Sequence, residues 1–155
     1  MGQQQLLLLV LGIVIVGLAV VAGINAFDEN QQKSSEDALT NEAFRLASDA
    51  KAWYNKPTQY DGGGSNPDNI SDMAWQDIGV QSGSLSGENA SAEDLSSDYE
   101  TPWGTVSAST SDNTVQFSLT TNQGGGSSFG TVTFDPNNSS GEQIQFERSS
   151  SSDSE

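Results

Sequence analysis

Hydrophobic positions along the chain change their period twice. From Leu6 to Ile24 every residue is Leu, Val, Ile, Ala or Gly, and no side chain between Met1 and Phe27 is charged. At 1.5 Å per helical residue, about 20 such residues cross the ~30 Å hydrocarbon core of a bilayer. Asp28 to Ser35, DENQQKSS, is polar on all sides. It reads either as the waist of one long helix or as a short break, with Ser34 or Ser35 available as a cap and Asp37 as a weaker capping-box partner. Leu39, Ala43, Leu46, Ala50 and Trp53 then recur at steps of four and three, which is one stripe of a helix, widened by Phe44, Ala47 and Tyr54. Glu42, Arg45, Asp49 and Lys51 lie opposite. Pro57 cannot continue the helix and pushes Lys56 out of helical geometry. A helix is therefore expected to about Asn55, and joined to the apolar run it would measure roughly 80 Å.

From Trp103 onward the period is two. Val106 and Ala108, then Val115, Phe117 and Leu119, then Val132 and Phe134, then Ile144 and Phe146 alternate with Thr, Ser and Gln. Four strands are predicted, each apolar on one face and joined by connections short enough for antiparallel neighbours. Between helix and strands, Asp61 to Thr101 opens on turn residues (DGGGSNP) and offers Met73, Trp75 and Ile78 as anchors within a helical turn or two. Its remainder, low in apolar residues, is expected to wander over the surface. One apolar helix stripe and one apolar sheet face must cover each other. The expectation is an α+β chain: residues 1–56 a long N-terminal helix, of which 1–27 is apolar; 57–102 a connecting loop; 103–148 a four-stranded antiparallel sheet; 149–155 a disordered tail. Leu39, Leu46, Trp53, Phe117, Phe134 and Phe146 are its expected helix–sheet core.

Composition narrows the function classes. Asp plus Glu number 21 against 5 Lys plus Arg, for a formal charge of −16. Such a surface repels nucleic acid and anionic lipid. It fits either a protein that works at high salt, where self-repulsion is screened, or a generic acidic extracellular protein. Cys and His are absent, which removes disulfides, thiolate metal sites and the commonest general base. No nucleophile–base pair, phosphate loop or metal cluster is visible, and neither an enzyme nor a cofactor is expected. Asp61, Asp68 and Asp72 do not fit a calcium-loop spacing. Sequons begin at Asn69, Asn89, Asn137 and Asn138 in a chain where chance supplies them.

The apolar run lacks the cationic n-region and short core of a secretory signal peptide. Gln3, Gln4 and Gln5 stand where Lys or Arg would be expected, which suggests that Met1 is an end made by removal of a basic leader. The chain here resembles the type IV pilins: Met1, then the polar Gly2 to Gln5, then the apolar Leu6–Ile24 run. It departs from that family in having Gln5 where Glu is usual, and Ala22 in the region where Pro is frequent. The resemblance implies a long helix packed on a four-stranded antiparallel sheet, which agrees with the pattern read downstream. It also implies a prepilin peptidase and pilus assembly machinery as partners, residence in the inner membrane before assembly, and a helical homopolymer on the cell surface. Met1, Gln5, Leu6, Leu9, Ile13, Val16, Val20 and Ile24 would then be assembly residues.

Gly12, Gly17 and Gly23 read as close-packing points between helices or as places where the helix unwinds; packing is favoured because no Pro sits beside them. Gln5 either registers neighbouring subunits through neutral hydrogen bonds or rests among headgroups. The expected function is a structural subunit of a type IV pilus-like filament, with adhesion, motility or DNA uptake downstream. The alternatives are a pseudopilin of a type II-like secretion system and a non-polymerising membrane-anchored binding domain.

Overall fold

The computed structural model describes residues 2–87, 90–122, 126, 128–138 and 141–149. It is α+β. Helix α1 runs Gly2–Asn55, and six strands follow: β1 (Leu85–Ser86), β2 (Asp98–Thr101), β3 (Gly104–Ser111), β4 (Thr114–Thr121), β5 (Ser128–Phe134) and β6 (Ile144–Arg148). The chain divides into two compact units, Met1–Ser34 and Ser35–Glu155. The polar stretch 28–35 is helical throughout, so it is neither a break nor a capped start: Gln, Glu and Lys sustain a helix without an apolar stripe.

In the second unit, α1 from Ser35 packs on a sheet whose spatial order, β1-β2-β3-β4-β5-β6, is also the chain order, every neighbour antiparallel. The β3–β4 hairpin pairs Gly104 with Thr121 through to Ser111 with Thr114. Its turn residues Asp112 and Asn113 both take positive φ, 49° and 63°. That geometry matches strand twist and suits short polar side chains. Buried and half-buried residues alternate strictly along β4, so Val115, Phe117 and Leu119 meet the helix while Thr114, Gln116 and Ser118 face outward.

The sheet has six strands where the sequence pattern predicted four, because β1 and β2 arise inside the segment read as a surface loop. That segment is also not superficial. Ile70, Met73, Trp75, Ile78, Val80, Ala92 and Leu95 join Leu39, Leu46, Phe117 and Phe134 in one buried cluster. Two 3-10 turns, Pro67–Asp72 and Trp75–Ile78, carry much of it, close to the helical turns expected there. Trp75 is fully buried, 6.0 Å from the Tyr99 ring and 6.3 Å from Phe117. Its indole N–H donates to the Ser97 carbonyl at 2.8 Å, and the Gln76 N–H donates to the Ala92 carbonyl at 3.0 Å. The apolar-poor 90–97 stretch is thus held by backbone hydrogen bonds around one large ring.

Both flanks of the helix are sealed by side chains from the outer strands. On the β2 side, the Tyr99 hydroxyl donates to Glu42 at 3.1 Å, and Arg45 bridges Glu42 (2.6 Å) and Asp49 (2.8 Å). On the β6 side, the Phe146 ring sits 6.4 Å from Phe44, and Arg148 reaches Glu36 at 2.6 Å. Phe146 therefore departs from its expected place in the core. It faces the helix side of the sheet, but β6 is the edge strand among the described residues, and Phe146 stays 37% exposed. Its ring lies over Gly130 on β5, where a Cβ would touch it; an aromatic over a strand glycine covers the gap the missing side chain leaves.

Candidate functional site: the apolar N-terminal segment

The apolar side chains of the first unit are exposed among the described residues. Leu6 through Ile24 form regular α-helix, favoured by Leu and Ala and tolerated by Val and Ile. Their large side chains are all exposed, from 51% at Leu11 to 71% at Leu7. At 100° per residue, Leu6, Leu9, Ile13, Val16, Val20 and Ile24 fall within one stripe roughly 80° wide. Leu7, Leu11, Val14, Leu18 and Val21 cover the opposite side just as densely. The segment is apolar around its full circumference, and no exposure difference singles out the predicted assembly stripe. A helix of that kind is stable only when surrounded by apolar matter. It is long and apolar enough to cross a membrane, a property shared by membrane anchors, assembly helices and signal sequences.

The glycines of the run face open space among the described residues. A Cβ at Gly12, Gly17 or Gly23 would meet nothing within 4 Å, and helical hydrogen bonding continues through all three. Gly12 and Gly23 share one side of the helix, and Gly17 lies about 120° away from them. Gln5 is exposed at the polar start of the run. Met1 lies outside the described residues.

The apolar segment ends sharply at Asp28. Directly after it, the Glu29 carboxylate accepts from Lys33 Nζ, one turn on, at 2.7 Å. That hydrogen bond, and the Lys33 charge behind it, hold the Glu29 carboxyl below its ordinary range. Asn30 Nδ2 donates to the Ala26 carbonyl at 2.8 Å, just where the apolar sleeve stops. Chemically the segment can exchange one dry environment for another and present polar groups at both ends.

In the second unit, Leu39, Leu46, Trp53, Phe117 and Phe134 lie in the buried cluster, while Phe146 stands at its rim. Sequence reasoning missed the two flank clusters, Glu36–Arg148 and Tyr99–Glu42–Arg45. Nothing in the spacing of residues 112 apart could have paired Glu36 with Arg148. Asn69, the first sequon residue, is half-buried and donates its amide to the Gly63 carbonyl at 3.0 Å; the sequon at Asn89 lies outside the described residues. Among the described residues, no group of three or more acidic side chains is placed to hold a metal ion.

No protein-family model, curated protein or solved structure matches this chain.

Proposed function

We propose that this chain is a structural subunit of a type IV pilus-like extracellular filament, held in the inner membrane before assembly and polymerised through its N-terminal helix. One observation carries the reading: a helix with apolar side chains on every side and no charge from Gly2 to Phe27 belongs to the same chain as a folded, strongly acidic α+β domain. In lipid, such a helix closes its own backbone hydrogen bonds. In a filament core, copies of it would bury one another at roughly 25 cal/mol per Å² removed from water. Since both settings are dry, transfer between them costs little. The acidic domain would remain in solvent as the filament's coat.

A membrane-anchored binding domain shares the apolar helix but not the polymer, and a pseudopilin would make only short periplasmic rods. Negative-stain microscopy of sheared cell-surface material separates the three: long thin fibres are expected. An Ile13→Asp variant should yield none, because a charge at the centre of the run costs about 2.5–3.5 kcal/mol in lipid, while circular dichroism reports a folded domain. Surface protein found only as monomers would overturn the proposal.

A further inference from the structure

We propose that β6 pairs edge to edge with β6 of a second copy of this chain, as an antiparallel two-fold dimer that extends the sheet. β6, Ile144–Arg148, ends the strand order among the described residues. Its hydrogen-bonding phase is fixed. The Asp135 N–H donates to the Gln143 carbonyl at 2.8 Å, and the Ser149 N–H to the Phe129 carbonyl at 2.9 Å. In an antiparallel ladder, residues that bond one neighbour alternate with residues that face the other side. Gln145 and Glu147, opposite Thr133 and Thr131, therefore bond β5. Ile144, Phe146 and Arg148 turn their N–H and C=O groups outward, and none of the described residues bonds to those groups. Such an edge is a template for another strand. It carries no Pro, and its register against β5 has no bulge. The aromatic pair beside it is open as well, with Phe44 at 38% and Phe146 at 37% exposure.

The occupant that fits is the same strand. Centred on Phe146, an antiparallel copy sets Phe146 against Phe146 and Ile144 against Arg148 of the second copy. These are the outward-facing residues, so each free N–H meets a free C=O. Gln145 falls opposite Glu147, and no like charges are directly opposed. β6 carries one Glu and one Arg and is neutral, in a chain whose formal charge is −16; copies therefore meet along it with little repulsion. The Phe146 rings face each other across the seam, each already against its own Phe44 at 6.4 Å, and aromatic cross-strand pairs favour such a ladder. A foreign extended peptide would answer the backbone groups alone. The far edge does not compete, because β1 has only 2 residues and head-to-tail growth of β6 on it would leave most of the edge bare. A reciprocal contact instead closes on itself. An edge of 5 residues is about 17 Å long, so the contact belongs with weak interfaces, under about 1,200 Å². The paired copies run in opposite senses. On the filament reading, the contact would join separate filaments side by side; the pairing itself needs no filament.

The test is disulfide trapping of the full chain in detergent, with micelles in excess so that the N-terminal helices of different copies occupy different micelles. The chain has no cysteine of its own. Gln145→Cys and Glu147→Cys, at exposed positions, are oxidised separately and as an equal mixture in ~1 M KCl, where repulsion reaches only about 3 Å. In the proposed register Gln145 faces Glu147 of the second copy with Cα atoms about 4.5 Å apart, within disulfide reach. Like positions stand diagonally, about 7–8 Å apart, at or past the ~7 Å limit for a disulfide. The mixture should therefore give about tenfold more covalent dimer than either protein alone, and an Asp112→Cys control on the distant hairpin turn should stay monomeric. Adding Phe146→Lys to both proteins sets like charges opposite each other and should lower the yield about tenfold, with circular dichroism reporting an unchanged fold. Equal trapping in the mixture and in the separate samples, or a mixture no more dimeric than the control, would sink the proposal.

Discussion

Glu36 is a carboxylate with only 11% of its side chain exposed, and Arg148 covers it from the edge strand while remaining 69% exposed itself. Screening by water limits what such a pair contributes, so Arg148→Ala is expected to cost about 1 kcal/mol, read from urea unfolding. On the other flank, the hydrogen bond from Arg45, ahead of the opposing effect of burial, holds the Glu42 carboxyl below its ordinary range. Burial first, and then the Glu42 charge, push the Tyr99 hydroxyl up. A carboxyl whose folded pKa is depressed lends stability above its unfolded pKa and loses it as pH falls through the folded value. Acid should therefore destabilise the domain partly through Glu42, and Glu42→Gln should flatten the acid limb of a stability–pH curve. Tyr99→Phe should cost about 0.5–1.5 kcal/mol at neutral pH. In the first unit, Gln5→Leu tests subunit registration in the proposed filament: a lower filament yield at unchanged membrane content is expected, and an unchanged yield would assign Gln5 to the headgroup layer of the proposed membrane-held form.

Elements with a sustained period were legible in the sequence. The stripe from Leu39 to Trp53, the stop before Pro57, and the alternation at Val115–Leu119 and Val132–Phe134 each repeat often enough to determine type and inner face. β1 and β2 were not legible for the opposite reason. β1 is two residues long, and β2, DYET, buries only every second residue, and that only in part, so neither offers a pattern to count. They exist because Trp75 gathers residues 92–97 beside β3. Trp75→Phe would keep most of the apolar volume but leave the Ser97 carbonyl without its donor, at a cost of about 1–3 kcal/mol. Hydrogen exchange should then show faster opening of β1 and β2 than of β4 and β5.

At the scale of the whole molecule, a formal charge of −16 works against any compact or assembled state, and salt relieves it by shortening the reach of repulsion to about 10 Å at 0.1 M. The melting temperature of the domain should rise with added KCl, and the proposed filaments, dialysed to low salt, should shorten or come apart; indifference to salt in both assays would mark the acidity as neutral to stability. The strand order has a consequence of another kind. Because each strand pairs with the one just before it, the sheet can grow by successive hairpins as the chain leaves the ribosome, with little loop-closure entropy at each step. The seal between Glu36 and Arg148 is different, spanning 112 residues. Synthesis must reach β6 before it can form, so a nascent chain stalled ahead of that strand would hold a growing meander whose helix is still open along one side.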